Sequence, residues 1–188
     1  MTKPRLRVFA TLAGVALLLL GVLYGMTAFT VHAPPPTLAG LQLENQPRPV
    51  PDVAFSGPDG RIASLRDFKG RYVLVNLWAP WCAPCAKELP ALARLQRAIA
   101  AERLVVVAVD VGREGLGEAQ DFLAAHHAGA LPVYVDGNAA LLTALGGNNL
   151  PLSVLIGPDG HEIARTEGPC DWSAPDSVAY LQALVERI

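Results

Sequence analysis

The chain has 188 residues, 52% of them hydrophobic, and a formal net charge of −2 at pH 7. Its 17 acidic residues all follow an apolar N-terminal stretch, so the rest of the chain is acidic, which argues against a nucleic acid as a partner. The length beyond that stretch suits one domain with an ordinary hydrophobic core.

The first element in chain order is the uncharged apolar stretch from Val8 to Val31, which Lys3, Arg5 and Arg7 precede. It is longer than the roughly 18 residues that suggest a membrane span and than the 7–15 or so of a signal peptide. Basic flanks stay in the cytoplasm. We therefore expect residues 1–31 to form a basic tip and a single-pass signal-anchor helix in the inner membrane, with the C-terminal domain in the periplasm. Cleavage near residue 33 is the alternative, which Pro34 disfavours.

Residues 32–51 are rich in proline and have the composition of a semi-rigid tether. The domain is then predicted over residues 52–188, where short apolar runs alternate with helical periodicity. This alternation predicts an α/β fold, with a central mixed sheet flanked by helices and an N-terminal β-hairpin. Strands are expected at 53–55, 61–63, 72–78, 104–109, 133–135, 154–156 and 162–164, and helices at 86–102, 114–128, 139–145 and 175–187.

Residues 81–85 read Trp-Cys-Ala-Pro-Cys and lie between a predicted buried strand and a predicted helix. The N-terminus of a helix offers partial positive charge and unpaired N–H groups, which favour a thiolate over a thiol. A thiolate is the species that attacks disulfides. The pair Cys82 and Cys85 therefore predicts thiol–disulfide exchange, which requires no metal and no cofactor.

Two other interpretations of the cysteine pair fit less well. A zinc site needs a second ligand pair, and the one further cysteine, Cys170, is alone in the sequence. A purely structural disulfide closing so short a loop would remove little entropy from the unfolded chain. Cys170 itself is interpreted as a half-buried bystander, the alternative being a regulatory thiol or an intermolecular disulfide.

Three separated segments, 75–85, 88–90 and 150–156, resemble the thioredoxin superfamily and, more narrowly, the membrane-anchored TlpA/ResA-like thiol–disulfide oxidoreductases. The resemblance covers residues 53–188. It implies that Cys82 is the attacking thiol and that Cys85 is the resolving thiol. It also implies that Pro151 is a cis-proline beside the active site and that Leu150 offers backbone groups to an extended substrate segment. Trp81 is a candidate for the rim around Cys82.

The sequence departs from typical thioredoxins at Asn76, where they carry a buried aspartate that handles the proton of the resolving thiol. Asparagine does not titrate, so another group must take this role. Glu88 is the candidate, because it lies three residues after Cys85 on the same helical face. The alternative is that Glu88 is only a favourable acid near a helix N-terminus.

The predicted function is reduction of disulfides in extracytoplasmic proteins, with a membrane thiol reductase as electron donor. The family resemblance suggests cytochrome c maturation or copper-site assembly of a respiratory oxidase. A disulfide-donating oxidase is the first alternative, since direction depends on a reduction potential that no motif gives. A peroxidase on the same fold is a further alternative. It needs Thr and Pro residues around a lone cysteine, whereas residues 78–81 read Trp-Ala-Pro-Trp, which disfavours it. A copper-handling module that binds Cu(I) through the two thiolates is the alternative from another class.

Overall fold

The computed structural model describes residues 33–186, which form a compact unit from Pro34 onward. The predicted anchor, residues 1–31, lies outside the described residues. Within the described part of the chain, none of the helices is both long enough and apolar enough to cross a membrane.

Among residues 33–186, one eight-stranded sheet organises the fold, and four α-helices and two 3-10 turns accompany it. The strands are β1 (Gln42–Pro49), β2 (Phe55–Ser56), β3 (Ile62–Ala63), β4 (Tyr72–Trp78), β5 (Leu104–Asp110), β6 (Val133–Val135), β7 (Leu152–Ile156) and β8 (His161–Glu167). The helices are α1 (Ala83–Ala98), α2 (Leu116–Ala125), α3 (Ala140–Ala144) and α4 (Pro175–Val185), and the 3-10 turns are Pro36–Leu38 and Leu65–Phe68.

The spatial order of the strands is β1-β8-β7-β4-β5-β6-β2-β3. Strand β4 lies at the centre, where it pairs in parallel with β5 and antiparallel with β7. Both central strands are buried almost throughout, as continuous apolar runs predict. The mixed sheet and the early β2–β3 hairpin confirm the predicted fold class.

Side chains alternate between the two faces of the sheet, and each face has its own apolar core. Helix α1 packs its buried leucines onto one face and leaves its basic side chains exposed, as predicted. The helix begins at Ala83 rather than at residue 86, because Cys82 caps it and Pro84 fits the first turn. It ends at Ala98, since Ile99 is extended.

The segment predicted to be a tether differs most from expectation. Residues 42–49 form β1, which pairs with β8 at the edge of the sheet. Leu38, Leu41 and Val50 are buried in the two cores. Proline content masked this strand: Pro47 and Pro49 lie in an edge strand whose register is irregular, where proline is tolerated. The compact domain therefore begins near Pro34 instead of Asp52.

Replacing Leu38 by alanine tests this packing. Leu38 is fully buried, so we expect Leu38→Ala to lower the free energy of unfolding by about 2–5 kcal/mol. Leu43→Ala in the same segment is the control, because that side chain is 39% exposed, and we expect a change below about 1 kcal/mol. Urea denaturation of the oxidised full chain in detergent measures both values. Equal, small effects would show that the segment is a tether after all.

Candidate active site

The cysteine pair lies where β4 ends and α1 begins. Cys82 is the N-cap residue of α1, with extended backbone, and its Sγ accepts a hydrogen bond from the N–H of Cys85 at 3.3 Å. The two sulfurs form a disulfide with a Cα–Cα distance of 5.3 Å. Because the first N–H groups of a helix have no partner within it, they are available to stabilise a thiolate at Cys82 once the disulfide opens.

An open groove of about 580 Å³ borders Cys82. Trp81, which is 71% exposed, lines this groove, and so does Leu150. The peptide bond between Leu150 and Pro151 is cis, and Pro151 is buried. The remaining lining residues are Ala83, Pro84, Val111, Ala139, Leu142, Asn148 and Asn149, all uncharged. The structure thus brings Trp81, Cys82 and Leu150 to one uncharged surface.

Glu88, three residues after Cys85 in α1, is buried and 3% exposed. Its Oε1 accepts hydrogen bonds from the N–H of Cys170, at 3.0 Å, and from the indole N–H of Trp172. Its Oε2 accepts one from Nδ2 of Asn76 at 3.2 Å. The same Asn76 nitrogen lies 2.9 Å from Oγ of Ser153, which stands opposite Asn76 in the register of β4 and β7.

Two opposing effects act on the acidity of Glu88. Burial raises its pKa, and the three hydrogen bonds from Cys170, Trp172 and Asn76 lower it in part. The first turn of α1 contains no acidic residue, so Glu88 lies beyond the turn in which the helix dipole acts. A buried acid that titrates above its ordinary range, on the helix that carries the cysteines, can exchange a proton with a buried thiol.

A family model described as Redoxin matches residues 45–181. The chain belongs to the Redoxin family. Among curated proteins, it is 28% identical over 130 residues to the thiol-disulfide oxidoreductase ResA of Bacillus subtilis (strain 168), covering 69% of this chain and 72% of that one. It is also 37% identical over 99 residues to the thioredoxin-like protein YneN of the same strain, covering 53% of this chain and 55% of that one.

Solved structures agree with a thioredoxin-like fold. A crystal structure described as a thiol:disulfide interchange protein DsbE from Chlorobium tepidum has a TM-score of 0.65 and 27% identity, covering 77% of this chain and 99% of that one. The thioredoxin domain of a Bacteroides vulgatus oxidoreductase has a TM-score of 0.62 at 21% identity, covering 73% and 96%. The predicted thioredoxin-superfamily resemblance is confirmed, and this Redoxin protein is a thiol–disulfide oxidoreductase.

Cys170 lies in the loop between β8 and α4, half-buried and outside the disulfide. Burial raises the pKa of its thiol, and the nearby Glu88 carboxylate raises it further. These effects favour the unreactive thiol over the thiolate. Cys170 is predicted from the sequence to take no part in the reaction. The sequence does not indicate that the main-chain N–H of this residue donates a hydrogen bond to Glu88.

Two other residues in the hydrogen-bond network around Glu88, Ser153 and Trp172, were not predicted from the sequence. Ser153 and Trp172 lie 77 and 84 residues from their partners Asn76 and Glu88. The spacing of residues in the sequence predicts which side chains are neighbours only within one helix or strand. Such long-range contacts emerge only from the sheet order, which places β7 beside β4 and β8 beside β7. Among residues 33–186, no group of three or more His, Cys, Asp or Glu side chains is arranged to hold a metal ion.

Proposed function

We propose that this protein reduces disulfides in extracytoplasmic proteins through the Cys82–Cys85 pair. The observation that carries the proposal is the placement of the disulfide at a helix N-cap. Cys82 borders an open, uncharged groove, while Cys85 lies behind it and is 1% exposed. This asymmetry favours Cys82 as the thiol that meets the substrate and Cys85 as the thiol that completes the exchange.

The reaction proceeds in two exchanges. The Cys82 thiolate attacks one sulfur of the substrate disulfide, forms a mixed disulfide with it and releases the other sulfur as a thiolate. The Cys85 thiolate then attacks Sγ of Cys82, which closes the Cys82–Cys85 disulfide and releases the second substrate thiolate. Two electrons pass to the substrate, and the closed disulfide of the structure corresponds to the enzyme after turnover.

Residues around the cysteine pair transfer the proton and bind the substrate. Glu88 takes the proton of the Cys85 thiol before the second exchange, as its burial and raised pKa favour. Trp81 and Leu150 hold the substrate segment against the groove, and Pro151 fixes the backbone that presents Leu150. An extended segment bound there adds main-chain hydrogen bonds as strand addition does.

The proposed compartment rests on the N-terminal sequence, and the proposed partners rest on the family resemblance. The apolar stretch from Val8 to Val31 anchors the chain in the inner membrane, with the domain in the periplasm. Disulfides persist in that compartment, so the reduced pair requires a dedicated electron source, which is a membrane thiol reductase. The substrates are proteins of cytochrome c maturation or of copper-site assembly in a respiratory oxidase.

The midpoint potential of the Cys82–Cys85 pair tests the direction of electron flow. The full chain in detergent is equilibrated against glutathione and dithiothreitol buffers, and the reduced fraction is counted by thiol alkylation and mass spectrometry. We expect a midpoint near that of thioredoxin, about −270 mV, or lower. A midpoint near −120 mV, roughly that of strong disulfide donors, would make the protein an oxidase instead.

A further inference from the structure

The loop between β8 and α4 supplies two of the hydrogen bonds that hold Glu88. The N–H of Cys170 and the indole N–H of Trp172 both reach Oε1 of the carboxylate. Trp172 is fully buried in the same core as α1. A loop distant in sequence therefore fixes one oxygen of the acid, while Asn76 of the central strand fixes the other.

The loop is itself held in place. The N–H of Asp171 donates to the carbonyl of Thr37 at 3.3 Å, and Oγ of Ser177 lies 2.7 Å from Oγ1 of Thr37 and donates to the carbonyl of Asp171. The loop is thus tied to the packed N-terminal segment on one side and to α4 on the other. Its indole N–H is presented to Glu88 from a fixed position.

Few other groups that titrate approach the carboxylate. The Cys85 thiol lies on the same helix, and the Cys170 thiol faces Glu88 from the loop. Strands β4 and β7 contribute the neutral side chains of Asn76 and Ser153. The carboxylate of Asp171 is engaged by Ser173. Hydrogen-bond donors, rather than neighbouring charges, therefore oppose the burial of Glu88.

Among these donors, the indole of Trp172 has no second partner to satisfy, whereas Asn76 also holds Ser153. We propose that Trp172 is a positioning residue for Glu88, and that its N–H sets the pH range in which the Cys82–Cys85 pair exchanges disulfides. The inference rests on the proposed role of Glu88 as the group that takes the Cys85 proton. A donor to the ionised carboxylate stabilises it, so removing the donor disfavours ionisation.

Trp172→Phe removes the N–H and keeps an aromatic ring in the core. The test follows the rate of insulin reduction by the full chain in detergent, with dithiothreitol as the electron source, from pH 5 to 9. We expect the rising limb of the rate to move to higher pH by roughly half a unit to one unit, the worth of one hydrogen bond. At a fixed pH on the limb, the rate then falls by about three- to tenfold.

Trp78→Phe is the matched control. Trp78 is also fully buried, and its indole nitrogen has no hydrogen-bond partner in the described part of the chain. Both variants lose the same atoms from the core, but only Trp172→Phe takes a donor from Glu88. An equal shift in both variants, or no shift in Trp172→Phe, overturns the proposal.

Glu88→Gln separates this proposal from the function on which it depends. Loss of the limb in Glu88→Gln with an unchanged limb in Trp172→Phe overturns the role of Trp172 alone. A limb that persists unchanged in Glu88→Gln overturns the role of Glu88, and with it the role of Trp172, but leaves disulfide reduction by the Cys82–Cys85 pair standing. A shift in Trp172→Phe together with loss of the limb in Glu88→Gln supports both.

A second measurement needs no Trp172 variant to fold. The indole ¹H–¹⁵N resonance of Trp172 in the wild-type full chain, assigned by selective labelling, reports the ionisation of its acceptor. We expect its chemical shift to titrate at the same pH as the kinetic limb and to lose that titration in Glu88→Gln. A resonance that is insensitive to pH, or that titrates alike in Glu88→Gln, contradicts the proposal.

Discussion

Replacing Cys85 by serine leaves the enzyme covalently attached to its substrate. In Cys85→Ser, the Cys82 thiolate still attacks and forms the mixed disulfide, but the thiol that would release it is absent. In Cys82→Ser, the remaining thiol lies behind the groove, 1% exposed, and no mixed disulfide forms. We expect turnover to fall by more than about a thousandfold in either variant, since neither can complete the exchange.

The two serine variants control for each other, because each removes one sulfur and keeps the size of the side chain. Each full chain is mixed with a disulfide-bearing protein such as insulin, quenched with acid and separated on a non-reducing gel. Mass spectrometry then locates the cross-linked cysteine. Trapping through Cys85 in the Cys82→Ser variant would reverse the assigned roles of the two thiols.

Local chemistry explains why much of the fold and the position of the cysteine pair were predictable. The strands β4 and β5 are nearly continuous apolar runs, interrupted by Asn76 and ended by Asp110, and the leucines of α1 repeat at helical spacing. Each signal resides within a single element, where strand and helix periods can be read directly. The site's near neighbours, from Trp81 to Glu88, inherit their arrangement from the same strand, turn and helix.

Contacts between distant elements explain what the sequence did not reveal. The proline-rich composition of residues 32–51 predicted a tether, whereas pairing of β1 with β8 and burial of Leu38 fold most of this segment into the domain. The donors around Glu88 come from strands and a loop far along the chain, including Trp172. Composition and spacing describe what a segment prefers alone, and tertiary packing overrides that preference here.

Glu88→Gln is expected to slow disulfide exchange at neutral pH by about a hundredfold. Burial raises the pKa of Glu88, so the wild-type rate should increase as pH rises through that value and the carboxylate becomes able to accept a proton. Glutamine accepts none. The variant's rate should then rise only at the higher pH at which a buried thiol ionises without a base.

The fold should tolerate this change. Glutamine keeps an oxygen for the N–H of Cys170 and the indole of Trp172, and a turned Asn76 amide can accept from its NH₂ group. An acid whose pKa is raised in the folded state stabilises the fold when protonated, and this stability is lost as pH rises through the raised pKa. Above that pH the glutamine variant should therefore unfold at no lower urea concentration than the wild type.

Rates of insulin reduction from pH 5 to 9, with urea denaturation at the same pH values, measure both effects. Glu118→Gln is the control, because Glu118 lies in the first turn of α2. Its replacement measures the stability that a helix loses when an acidic residue near its N-terminus is neutralised. A wild-type pH profile in Glu88→Gln would remove Glu88 from the mechanism. A large loss of stability with an unchanged pH profile would show that Glu88 has only a structural role. A residue that transfers a proton changes the pH profile of the rate, whereas a residue that only supports the fold changes the urea denaturation.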